Sequence, residues 1–430
     1  MLKLLIIGYV WPEPDSSAAG SRMLQLIQLF LQQHWQLTYA SPAADSEHMA
    51  DIQALGVEKV GIKLNSSCFD SFVRQLEPDI VLFDRFMMEE QFGWRVEKNC
   101  PQALRLLDSE DLHCLRDARH RAVKQQRALT QSDLSGDLAL REVASILRSD
   151  LTLMISEFEI ELLLKHFQVS PVLLHHSRFM LPGIDPAVAD GWPSFSQRQH
   201  FISIGNFRHA PNWDAVLYLH RQIWPLIRQQ LPEAELHIYG AYPPPKATQL
   251  DNDKQGFRLL GWAKDALAVM GSARVCLAPL RFGAGIKGKL TLAMQAGTPS
   301  VTTGIGAEGM HDELPWSGII EDDPLRFAAE AVRLYQDQAL WQQSQVRGRQ
   351  IINQCYDQQA IGDSLIQRID QLRLQLEQHR LDNFTGAMLR HHSLKSCQYM
   401  SQWIEAKNSN RDSGHKDSSY KDSSHKDKQH

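Results

Sequence analysis

The densest run of chemically useful residues lies at positions 275–290, V-C-L-A-P-L-R-F-G-A-G-I-K-G-K-L. An apolar stretch from Val275 to Ala278 enters a turn holding Gly283, Gly285 and Gly288, and a helix-forming sequence follows. Glycines let backbone N–H groups approach an anion closely, and a helix N-terminus favours negative charge. Lys287 and Lys289 add positive charge, so the segment reads as a phosphate cradle. Gly283, Gly285 and Gly288 also spell the dinucleotide fingerprint G-x-G-x-x-G, which requires an acid after the next strand to hold a ribose. That strand ends in Thr302, Thr303 and Gly304, without an acid. Gly283 to Lys289 also spells G-x-x-x-x-G-K, but the P-loop needs Ser or Thr next, for magnesium, and Leu290 stands there. The remaining alternative is a turn that only joins strand to helix.

A second constellation is Asp108, Glu110, Asp111 and His113, just past a strand end, where sites in α/β sheets form. His113, with Asp111 beside it, is placed to hydrogen-bond or polarise a ligand hydroxyl. The alternative is that Asp108 or Asp111 caps the next helix. Arg208 follows a strand and Gly205, and is a second candidate cation for phosphate. His175 and His176 read as structural.

These residues need a frame, and the hydrophobic pattern supplies it. Short β-like runs at 2–7, 36–40, 57–62, 79–83, 103–107, 151–155 and 172–175 alternate with helical stretches such as 21–33. Such alternation builds a parallel sheet. Prolines, glycines and serines then interrupt it, and strands restart at 201–204, 235–239, 257–260, 275–278 and 300–302. The expected organisation is a first α/β domain over 1–185, a linker over 186–199, and a second α/β domain over 200–356. A helical segment over 357–407 follows, with aromatic and methionine anchors at Phe384, Met388, Tyr399, Met400, Trp403 and Ile404. A tail over 408–430, in which K-D-S-S-Y is nearly repeated as K-D-S-S-H, has too little apolar surface to fold.

Composition narrows the function classes. Among 430 residues, 43% are hydrophobic and 22% charged, as in ordinary globular domains, and the net charge of −5 argues against a nucleic-acid binder. No apolar run approaches the 18 or so residues of a membrane span. The six cysteines form no C-x-x-C pair, which speaks against zinc or thiol redox chemistry. Cys276 reads as core, and the cytoplasm is the expected compartment. The basic run 116–127 could rest on anionic lipid at the inner face of the cell membrane, or be a solvated face.

The second half resembles the family 4 (group 1) glycosyltransferases. The resemblance is carried by 201–216 as first strand, glycine turn and helix, by 259–265 as the G-x-v-x-D-like segment, and by 278–289 as the donor-phosphate loop. Segments 293–303 and 305–309 continue it, in the family's order. The first half matches more loosely through 12–20 with Arg22, through 106–113 and through 155–159. The resemblance implies the GT-B fold, two facing Rossmann-like domains plus C-terminal helices, with the active site between the domains. It further implies a nucleotide-diphosphate-sugar donor, a glycan or lipid-linked acceptor, a role in polysaccharide synthesis, and a retaining, metal-independent reaction without a cofactor. Gly20 and Gly205 are then cleft glycines. Lys287 is the phosphate cation, with the amides of Gly283 and Gly285 beside it. Members of the family carry two glutamates eight residues apart, where this chain has Ala284 and Leu292. A leucine cannot accept a ribose hydroxyl, so Glu308 is the expected substitute. Leu292 also leaves open a non-catalytic module that has lost donor binding. A sugar-nucleotide epimerase is a third possibility.

Overall fold

The structure is a computed structural model and describes residues 1–419. Seven strands build the first sheet: β1 (Lys3–Ile7), β2 (Gln36–Ser41), β3 (Glu58–Gly61), β4 (Ile80–Asp84), β5 (Leu104–Asp108), β6 (Leu151–Met154) and β7 (Leu174–His176). All pair in parallel, in the order β3-β2-β1-β4-β5-β6-β7. Six more build a second parallel sheet: β8 (Gln199–Ile204), β9 (Leu236–Tyr239), β10 (Phe257–Gly261), β11 (Ala273–Ala278), β12 (Ser300–Thr302) and β13 (Gly318–Ile320). Their order is β10-β9-β8-β11-β12-β13.

A parallel sheet is covered on both faces, so its central strands read as unbroken apolar runs. Every residue of β4 and β5 is buried, as are Leu4 to Ile7 of β1. Each sheet reverses strand order once, between β1 and β4 and between β8 and β11, and ligands in such sheets bind beyond the strand C-termini at that crevice. The loops after β1, β4, β8 and β11 are therefore the ones that matter for chemistry. The alternation pattern missed β13, a three-residue edge strand beginning at Gly318. A Cβ there would lie 1.9 Å from the Ser300 carbonyl oxygen, so this strand is specified by close backbone approach rather than by side-chain pattern.

An apolar cluster joins the two halves. Ile155 and Phe179 of the first pack with Ile286, Leu290 and Met294 of the second and with Ile351 and Tyr356 of the helix Gln338–Cys355 and its end. The chain then crosses back. The helix Gln358–Leu374 lays Leu365, Ile369 and Leu372 against Leu4, Ile6 and Phe30 of the first domain. Because Ile369 is fully buried, Ile369→Val should lower stability by about 0.5–1.5 kcal/mol in chemical denaturation. An unchanged midpoint would mean that this helix does not share the first domain's core.

The last helix, Phe384–Ser419, packs on the helices Phe86–Asn99 and Asp137–Arg148. Its contacts differ from the aromatic and methionine anchors expected from sequence. Phe384, Met388, Tyr399, Met400 and Trp403 are exposed. The inward face holds Leu394 and Ser401, and it is tied by Ser393 to Arg148 and by Glu405 to the Ser67 amide and hydroxyl. Polar bonds thus hold this face beside the buried Leu394. Residues 408–419 of the segment expected to be unstructured continue this helix, and 420–430 lie outside the described residues. Among the described residues no helix is long and apolar enough to cross a membrane.

Candidate active site

The loop after β11 meets the first domain directly. Gly285 adopts φ +62°, and a Cβ there would lie 2.8 Å from the Asp111 Cβ and 3.4 Å from the Glu110 carbonyl oxygen. Only a residue without a side chain lets this loop seat against residues 110–111. Gly288, at the start of the helix Gly288–Gln295, abuts Ala18, where an added Cβ would come within 2.5 Å. The N-terminus of that helix therefore faces the β1 loop and the start of the helix Ala18–Gln32. Gly20, in the latter's first turn, donates its N–H to the capping Ser17 hydroxyl.

Lys287 is the N-cap of the helix Gly288–Gln295 and is buried, with Nζ donating to the Gly285 carbonyl at 2.7 Å. Burial lowers its pKa, Glu308 and Glu159 push it back up, and Arg119 lowers it further. Lys289, expected to keep its charge in water, instead donates to the Asn212 side chain at 2.8 Å, and burial takes its pKa down to about 8. Arg208 lies 3.5 Å over the Tyr242 ring. Gly205 follows β8, and a Cβ on it would strike the Asn212 side chain at 2.6 Å.

The first domain grips this loop from the helix His113–Lys124. Arg119 donates Nη1 to the Gly283 carbonyl at 2.8 Å and forks both oxygens of Glu308 at 2.8 and 2.7 Å. The next residue, His120, stacks on Phe282 at 4.3 Å between centroids. Glu159, near the start of the helix Glu157–Lys165, accepts the Gly285 N–H at 2.8 Å and the Leu112 N–H at 3.0 Å. Glu308 is thus an interdomain ion-pair partner in this structure, and reaching a ribose would require sharing Arg119.

His113 stands at the start of its helix. Its Nε2 is 3.5 Å from Asp111 Oδ1, its ring meets Phe86 edge-on, and burial takes its pKa down to about 4. It is therefore neutral near pH 7. Burial raises the Asp111 pKa, but Arg116 and His113 pull it below the usual carboxylate range, and Arg116 pairs with it directly. The helix N-terminus is capped by neither Asp108 nor Asp111. Glu142, from the helix Asp137–Arg148, accepts the His113 and Cys114 amides at 2.9 and 2.8 Å. Asp108 belongs to a deeper knot, in which Arg22 donates Nε and Nη2 to its Oδ1 at 3.2 and 2.9 Å.

Lys287, Gly283, Gly285, Glu308, Asp111 and His113 thus gather where the two domains meet, while Arg208 stands over Tyr242 on the other flank. Tyr242 donates to Glu13 at 3.1 Å, and Trp262 donates to the Asp15 carbonyl at 3.0 Å. His48 lies against both rings. Sequence reasoning missed Arg119, Glu159 and this aromatic closure. The i, i+3, i+6 spacing of His113, Arg116 and Arg119 on one helix was the available signal. Four arginines of the basic run 116–127 are spent within the protein, Arg116 on Asp111, Arg119 on Glu308, Arg121 on Asp117 and Arg127 on Asp133. Among the described residues, the group able to hold a metal is His200, Glu235 and His237, at the N-terminal edge of the second sheet. There the His200 Nδ1 already accepts the Glu235 N–H at 3.1 Å.

Comparison with known proteins places this geometry. Residues 198–337 match the family "Glycosyl transferases group 1". Among solved structures, sucrose-phosphate synthase from Thermosynechococcus elongatus is similar at TM-score 0.63 and 15% identity, covering 86% of this chain and 99% of that one. HepE of Anabaena, solved in complex with UDP and glucose, is similar at TM-score 0.60 and 12% identity, covering 86% and 100%. A glycosyltransferase from Rickettsia africae gives TM-score 0.62 at 9% identity, covering 85% and 97%. None of the curated proteins matches the chain in sequence. Residues 198–337 thus match the group 1 glycosyl transferases, and the chain as a whole shares the two-sheet GT-B fold of these solved structures.

Proposed function

We propose that the chain transfers a sugar from a nucleotide-diphosphate donor to a hydroxyl of a glycan or lipid-linked acceptor. The observation that carries this reading is the buried Lys287 at the N-terminus of the helix Gly288–Gln295, facing the first domain at the strand-order reversal. In such a transfer the bond between the sugar C1 and the β-phosphate oxygen breaks, and a bond from C1 to the acceptor oxygen forms. The acceptor proton leaves with the diphosphate or to solvent. Negative charge grows on the leaving oxygen, and preorganised donors at that point lower the barrier. Lys287 and the helix N-terminus meet that charge without calling on a metal ion, and a retaining course follows the family resemblance. HepE was solved with UDP, in keeping with a nucleotide donor here. His113, neutral and beside Asp111, serves the acceptor side as a hydrogen-bonding group, and Arg208 with Gly205 flanks the donor.

A second reading is favoured by Leu292, which stands where a ribose-binding acid would be: a binding module without transfer activity. A thermal-shift screen with UDP-, GDP- and ADP-sugars separates the two. One nucleotide class should raise the melting temperature, and Leu292→Glu should raise it further by supplying an acceptor for the ribose hydroxyls. Absence of a shift in both the parent and Leu292→Glu would sink the donor reading.

A further inference from the structure

Glu159 is a buried acid with one of its two oxygens unused. The residue is fully buried at the meeting of the two domains. Its Oε1 takes two amide protons, from Leu112 of the first domain and Gly285 of the second. Its Oε2 is buried and has no hydrogen-bond partner. Burying an ionisable oxygen without a partner is costly, and native proteins keep few such atoms. Burial, with Asp111, raises the acid's pKa, and Lys287 lowers it. The neighbouring loop residue, Ala284, offers only a methyl group, which packs on the first domain's core. The donor loop therefore has an ammonium for the diphosphate but no oxygen of its own at this point for the sugar. Held up at about 8, the acid is mostly neutral near pH 7, and a neutral carboxyl still offers a sugar hydroxyl an acceptor oxygen.

We propose that Glu159 supplies, from across the domain interface, the acceptor oxygen for a hydroxyl of the transferred sugar, and that the donor carries an uncharged hexose with that hydroxyl free. The assignment rests on the donor reading above and adds a division of labour to it: Lys287 holds the diphosphate and Glu159 orients the sugar.

Calorimetry on the full chain with matched pairs tests this: UDP against UDP-glucose, GDP against GDP-mannose, and ADP against ADP-glucose. Glu159→Gln keeps an oxygen for the Gly285 amide and removes the second acceptor. In the pair that binds, Glu159→Gln should weaken the nucleotide sugar tenfold or more and leave the bare nucleotide diphosphate within twofold. If Glu159→Gln does not fold, Glu159→Asp keeps the acid but shortens the reach, and should show the same selective loss. Equal losses for both ligands, or no loss for either, would overturn the assignment while leaving the donor reading intact. A parent chain that binds none of the pairs overturns both.

Discussion

Arg22→Met should destabilise the first domain by about 3–5 kcal/mol, the cost of removing one partner from a buried ion pair. Arg22 and Asp108 are both fully buried. The guanidinium binds Asp108 twice, and it also donates to the Ser177 and Arg178 carbonyls. Asp84 pairs opposite Asp108 across adjacent strand ends, and Glu110 lies nearby, with its pKa driven well up by burial and by Asp108. Without Arg22, these acids would share the neighbourhood with Arg85 alone among the cations that act on them most strongly. Urea denaturation followed by far-UV circular dichroism measures the loss. The double variant Arg22→Met/Asp108→Leu should recover much of it, because an apolar pair of similar volume costs less than an orphaned charge. A loss below about 1 kcal/mol, the scale of an exposed pair, would show that the knot is solvated.

Lys287→Ala should weaken nucleotide-diphosphate binding by about 1.5–3 kcal/mol, the scale of hydrogen bonds to charged groups, or roughly ten- to hundredfold in Kd. Affinity measured by calorimetry, with the fold checked by melting, decides it, and an unchanged Kd removes Lys287 from the site. The pH dependence adds an internal control. Burial lowers the Lys287 pKa, so donor binding should fall off at a lower pH than a solvated lysine would dictate. Lys287→Ala should lack that fall. Stability moves the other way. Between the lowered and the ordinary value the unfolded chain holds the proton and the folded chain does not, so raising the pH favours the fold.

The strands were legible because burial on both faces demands unbroken apolar runs, as in Ile80–Asp84 and Ala273–Ala278. The strand, glycine turn and helix over 273–295 were legible because glycine spacing, a lysine and a following helix are all local in sequence. β13 was not, since three residues at a sheet edge carry no period. Nor were the exposed aromatics of the last helix, whose inward face is decided by the polar groups of other helices. The sequence by itself determined two parallel-sheet domains, the glycine turn before the helix Gly288–Gln295 and the absence of acids at positions 284 and 292. Only the tertiary structure decided that Arg119 forks Glu308, that Glu159 reaches Gly285, and that Arg22 answers Asp108. These partners are separated by 189, 126 and 86 positions. Ion pairing and amide binding at such range depend on where two sheets and their loops meet, and no local pattern encodes that.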